Sequence, residues 1–300
     1  MCILFHAMKK KIKVSTIVTT AIVATVAISS GLIVGIFFGK NYFSPKTNYD
    51  GFNFLDYEDD TASLMKKYQS NSNVTSYKPY ELVNIAIEKF ANNEHTKTVT
   101  HGEVNAAIVK QLIFAEDVRD GNEFYTESLS YSSLVKCGVR FYQHADVIDE
   151  YKANKVEKDG KSNFPTSSKK TVTFEDHETN WGKTLERPVI FIISSKTVLE
   201  NELKNTNDGY EITMSLDPTL SVLRYVRQMK SISDLKRYPE FNSVKVTFTL
   251  DKDLNLVQMK SVEDYVVYVV GKNESVGTLT VDYYHDVNES IPALDSNYPY

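Results

Sequence analysis

The sequence predicts an α+β domain built around one large antiparallel sheet, preceded by a single transmembrane helix. Three observations carry this. An uncharged N-terminal run is long enough to cross a bilayer, and two later segments space their apolar residues at the helical period. Most of the remaining chain alternates apolar with polar residues at period two, the pattern of strands with one covered face.

The run stands in "MKKKIKVSTIVTTAIVATVAISSGLIVGIFFGK", Met8 to Lys40, where Val14 to Gly39 gives 26 residues without a charge. About 20 apolar residues suffice to span a bilayer core, whereas a cleaved signal peptide has an apolar core of roughly 7–15. The best cleavage-like site, Ala24 to Ala27, lies inside the run, and the run ends on bulky Ile36, Phe37 and Phe38. An uncleaved anchor is therefore expected. Lys9, Lys10, Lys11 and Lys13 precede it with no acid among them, which puts residues 1–13 in the cytoplasm and everything after 39 outside the cell membrane. Met8 before three lysines also resembles a bacterial start. Cys2 precedes the apolar run, so a lipobox is not supported, and Cys137 has no other cysteine beyond the span to pair with.

The chain carries 34 basic and 39 acidic residues; without the four lysines before the span, 30 face 39. An acidic exterior repels nucleic acid and anionic headgroups at long range, so nucleic acid is excluded as an expected partner.

Residues 40–76 read as an extracytoplasmic tether with a short helix around Thr61 to Tyr68, and residues 77–300 as the β-rich domain. In "YKPYELVNIAIEKFANNEH", Pro79 suits the first helical position, and Val83, Ala86, Ile87 and Phe90 form one face. In "LDPTLSVLRYVRQMKSI", Asp217 can cap, Pro218 opens, and Val222, Leu223, Val226 and Met229 make the stripe. A third helix is expected across Ser195 to Asn205. Strands are expected over Thr98 to Val104, Ile108 to Asp117, Glu123 to Tyr131 and Leu134 to His144, with Arg119 to Asn122 as a turn. The alternations at Tyr210 to Leu216, Val244 to Leu250 and Leu279 to Tyr283 add three more, joined by hairpin loops at Asp251 to Asn255 and Gly271 to Ser275. "EDYVVYVV", apolar on both faces, reads as a central strand, and "TVTFED" and "RPVIFIISS" as two further strands. Cys137 reads as a small buried hydrophobe beside Val139 and Phe141.

No catalytic constellation emerges. The six histidines never take zinc-helix spacing, "EDHE" reads as a solvated turn, and His144 with Asp146 supplies two ligands where a site needs more. "DGKS" and "WGKT" lack the phosphate-loop glycine; "SSKK" has the S-x-x-K spacing without its partner motifs. Trp181, the only tryptophan, reads as an anchor packing a long loop onto the sheet. No cofactor, metal or catalytic residue is expected.

The second half, "DGYEITMSLDPTLSVLRYVRQM…FNSVKVTFTLDKDLNLVQMKSVEDYVVYVV…GTLTVDYYHD", resembles the outer domain of lipoprotein-carrier-like (LolA/LppX-type) proteins in its order of elements, Tyr210 to Tyr284. The resemblance implies a strongly curved, incompletely closed antiparallel barrel with two or three helices on its concave side and an apolar ligand in the hollow. It implies that Val83, Ile87, Phe90, Val222, Val226 and Met229 face that hollow, where they either line a cavity or fill a core. The expected function is a membrane-anchored, non-catalytic binding domain for an apolar, lipid-like molecule or an envelope partner. The rivals are a protein-interaction module with a solid interior and, third, a cell-envelope hydrolase.

Overall fold

The first and last strands of the domain lie side by side in the middle of its sheet. A computed structural model of the chain describes residues 47–106, 109–133, 136–233, 235, 237–268 and 272–292. The expected span at 14–39, the cytoplasmic stretch 1–13 and Cys2 lie outside the described residues. Among the described residues no helix is long and apolar enough to cross a membrane.

The strands are β1 (His95–Ala106), β2 (Val109–Asp120), β3 (Glu123–Tyr131), β4 (Lys136–His144), β5 (Val147–Lys152), β6 (Lys155–Val156), β7 (Ser162–Asn163), β8 (Lys170–Thr173), β9 (Val198–Asn205), β10 (Gly209–Leu216), β11 (Glu240–Asp251), β12 (Leu256–Tyr268) and β13 (Lys272–His285). Among the described residues, 11 of them form one antiparallel sheet in the order β8-β5-β4-β3-β2-β1-β13-β12-β11-β10-β9, and β6 pairs with β7 apart from it. Each half is largely a meander; β1 joins the halves by pairing with β13 from Thr96↔His285 to Ala106↔Ser275. Edges β8 and β9 do not meet, so the sheet is not closed. Its turns follow local chemistry: Gly121 takes φ +63° between β2 and β3. Asp251 Oδ1 accepts from the backbone N–H groups of Asp253 and Asn255 between β11 and β12.

The longer helices are α1 (Thr61–Ser70), α2 (Pro79–Ala91), α3 (Phe174–Trp181) and α4 (Leu223–Ser233). Pro79 stands at the start of α2, and Glu81 accepts from the backbone N–H of Lys78 at 2.7 Å, satisfying one donor of the first turn. Its apolar stripe meets Ile212, Met214, Val246 and Phe248 of the sheet in the principal core, which also takes in Val222, Leu223 and Val226. Residues 47–60 pack on the same side: Tyr49 is buried beside Tyr238, whose hydroxyl donates to Asp50 at 2.6 Å. On the opposite face Tyr125, Tyr142 and Tyr151 form a smaller cluster under Phe164 of the 153–170 segment.

Five expectations need correction. Ser195 to Asn205 is not helical: residues from Val198 on pair with β10 as an edge strand. Spacing of Leu199 and Leu203 imitates a helix, but the neighbouring strand supplies a ladder, and Leu199 is left 61 % exposed. The apolar run "RPVIFIISS" is no strand. It passes through the core with its backbone satisfied piecemeal: Ile192 N–H donates to the Ser221 carbonyl at 2.8 Å, Thr197 Oγ1 to that of Ile192 at 2.7 Å, and Asn84 Nδ2 to that of Ile193 at 3.0 Å. "EDHE" belongs to α3, and its His177 is buried. The helix after Asp217 begins only at Leu223, because the Asp217 carboxylate accepts from the N–H groups of Thr219 and Leu220 and holds a preceding turn. Cys137 is half-buried rather than buried.

Candidate ligand cavity

Period two puts one set of side chains from the central strands on the helix-covered face. Register aligns them across strands: Thr98↔Asp117↔Thr126↔Phe141 in one row, and Thr100↔Ala115↔Ser128↔Val139 in the next. These residues floor a cavity of about 180 Å³, extended across β13 and β12 by Leu279, Val281 and Met259. The lid is α3 (His177, Trp181), the 182–191 segment (Leu185, Pro188, Ile190) and α4 (Tyr225, Met229, Ile232). A void of this size holds a small or slender molecule and falls short of a drug-sized pocket.

The floor differs from the lid in polarity. Thr98, Thr100, Thr126, Ser128 and Ser130 bring hydroxyls, whereas the lid presents mainly hydrocarbon and aromatic surface. Asp117 is engaged from both sides: Thr98 Oγ1 donates to one carboxylate oxygen and Thr126 Oγ1 to the other, each at 2.7 Å. Further along β2, Gln111 lines the same cavity and pairs through Nε2 with Ser130 Oγ. Its Oε1 is buried with no partner among the described residues.

Three buried contacts fix the lid. Glu150 of β5 accepts from Trp181 Nε1 at 2.8 Å and shares a 2.9 Å hydrogen bond with His177 Nδ1, while both rings stand edge-on to Phe141. Arg224 of α4 donates to Glu58 at 2.9 Å, to Glu178 at 2.7 Å and to the Gly182 carbonyl at 2.9 Å, and its guanidinium lies 3.9 Å from the Phe54 ring. Gly182 ends α3 at φ +77°, where a Cβ would stand 2.1 Å from the Arg224 carbonyl oxygen; only glycine lets the two helices approach so closely. Beneath Tyr225, Glu263 is 1 % exposed and accepts from Ser261 Oγ at 2.6 Å. Burial, partly offset by the hydrogen bond from Ser261 and by the nearby Tyr225 hydroxyl, pushes its carboxyl up to about 7.

Of the six residues singled out from sequence, Met229 lines this cavity. Val83, Val222 and Val226 are fully buried in the principal core, Ile87 packs half-buried against it, and Phe90 stands edge-on to Tyr283 and His285. The cavity-facing Gln111, Asp117, Trp181 and Tyr225 were not among the six. The available signal was Thr126, Ser128 and Ser130, small polar residues repeating at period two in a strand whose centre is otherwise covered.

No family model and no curated protein matches the chain. Among solved structures, it is similar to a DUF1329 family protein from Desulfovibrio piger, with TM-score 0.28 and 8 % identity over 71 % of this chain and 93 % of that one. It is also similar to a porin-like protein from Bacteroides uniformis, with TM-score 0.22 and 10 % identity over 65 % and 97 %. The ywiB protein of Bacillus subtilis gives TM-score 0.19 and 7 % identity over 65 % and 94 %. Likenesses at this level bear on neither the ligand nor the activity of this chain.

Proposed function

We propose that this chain is a membrane-anchored, extracytoplasmic binding protein that holds a small or slender lipid-like molecule between its sheet and the α3–α4 lid, without catalysis. The single observation that carries the reading is the hollow itself. A central sheet covered by helices would ordinarily be filled to crystal-like density, yet about 180 Å³ stays open under a lid tied down by buried hydrogen bonds. Three titratable side chains on its wall are committed to structure: Asp117 to two threonines, His177 to Glu150, and Lys183 to the Arg187 carbonyl at 3.3 Å. That favours holding a molecule over transforming one. The anchor rests on the uncharged run at 14–39 and on the lysines before it.

A protein-docking role through edge β9 is less well supported, because Glu200, Glu202 and Lys204 place charges along that edge, a device that blocks strand addition. Native mass spectrometry of the full chain purified from its own membranes tests the proposal. A co-purifying mass released on unfolding is expected. Its repeated absence from preparations that retain the folded domain contradicts the reading.

A further inference from the structure

We infer that the ligand carries a hydrogen-bond donor on a head without negative charge, such as a hydroxyl or an amide N–H, and that Gln111 receives it. This rests on the cavity reading above and specifies its chemistry. The lining residues of β2 run from Gln111 to Asp117, six residues and so about 20 Å at the rise of a strand. The hollow is therefore elongated, and its two ends differ. At the Asp117 end the carboxylate already accepts from Thr98 and Thr126. At the other end Gln111 is 4 % exposed, and its Oε1 accepts no hydrogen bond from any described residue. A buried amide oxygen left unpaired costs about 1–3 kcal/mol, and a bound donor removes that cost.

The charge pattern rules against an anionic head. Across the strands, Gln111 stands in the row Gln111↔Val104↔Gly277↔Glu263, whose one ionisable member is an acid. The lining cation, Lys183, belongs to the 182–191 segment, which reaches the Asp117 end through Leu185 and Pro188. An anionic head at Gln111 would thus be buried without a counter-charge. A hydrocarbon end would leave Oε1 as it is. A hydroxyl or amide meets both conditions, with the chain of the molecule running along β2 beneath Met229 and Trp181.

Trp181, the only tryptophan of the chain, lines the cavity and reports occupancy through its fluorescence. The test uses the full chain in phosphatidylcholine vesicles, titrated with three dibrominated probes of one chain length: an alkanol, its methyl ether, and the carboxylate at about pH 9, where a carboxyl is ionised. The alkanol is expected to quench Trp181 with about tenfold higher affinity than the ether or the carboxylate, the worth of one hydrogen bond. Gln111→Leu is expected to abolish that preference, bringing alkanol and ether to the same affinity. Equal affinity for alkanol and ether in the unaltered chain, tighter binding of the carboxylate, or a preference that survives Gln111→Leu overturns the assignment of Gln111 and leaves the cavity reading standing. No quenching by any probe overturns both.

Discussion

Ser261 Oγ donates to Glu263 of the sheet at 2.6 Å beneath Tyr225 of the lid, where burial has pushed the carboxyl up to about 7. Because the folded value lies above the ordinary 4.5, the folded state holds this proton where the unfolded chain has lost it. The contribution is fully present below about pH 4.5 and is lost as pH rises through about 7, amounting to roughly 3 kcal/mol. Glu263→Gln is expected to flatten this part of the stability profile, measured by denaturant midpoints between about pH 4.5 and pH 8. Parallel profiles for the two proteins would show that the carboxyl titrates normally.

Arg224 is the rivet of the lid. Its side chain is 4 % exposed between Glu58 and Glu178, so Arg224→Ala leaves both carboxylates without their buried partner. A loss of about 3 kcal/mol is expected in equilibrium unfolding. Arg224→Lys should recover little of it, since one ammonium cannot reproduce the fork that reaches Glu58, Glu178 and the Gly182 carbonyl. A loss under about 1 kcal/mol for the alanine variant would class the network with ordinary surface pairs.

Gly182→Ala tests the α3–α4 approach independently. The new methyl would meet the Arg224 backbone at 2.1 Å in a left-handed conformation, so a destabilisation of about 2 kcal/mol or more is expected. A thermal midpoint equal to that of the unaltered chain would mean that the two helices can separate at no cost.

Val226 and Met229 lie one helical turn apart on α4 and are expected to behave differently. Val226, fully buried in the core, should lose roughly 2 kcal/mol on truncation to alanine with ligand affinity unchanged. Met229, half-buried on the cavity wall, should lose less than about 1 kcal/mol and weaken ligand binding several-fold. Unfolding and probe-quenching titrations on the two variants separate the effects, and the reverse ranking would move the ligand site elsewhere.

These contrasts show where sequence pattern runs out. The helix at Pro79–Ala91 and the strand at Glu123–Tyr131 are legible because one element's own period, cap or turn specifies each. The eight-residue α3 is too short and polar to announce itself; it exists because Thr173 accepts from the Asp176 N–H at its start and Glu150 engages His177 and Trp181 from another strand. Leu199 and Leu203 satisfy helix and strand templates alike, and only β10 decides between them. The cavity was legible through Met229 alone. Burial of Gln111 depends on β1 and β3 closing on either side of it, and no local pattern in β2 distinguishes its amide from an exposed one.

The most direct test fills the hollow from its floor. Ala115 lies at the centre of the β1–β3 wall with its side chain on the cavity. Ala115→Leu, carried in the full chain and purified from membranes beside the unaltered protein, is expected to fold with undiminished stability and to release no bound mass in native mass spectrometry, while the unaltered protein releases one. The same ligand mass released in equal amount from both proteins would contradict a binding site at this cavity.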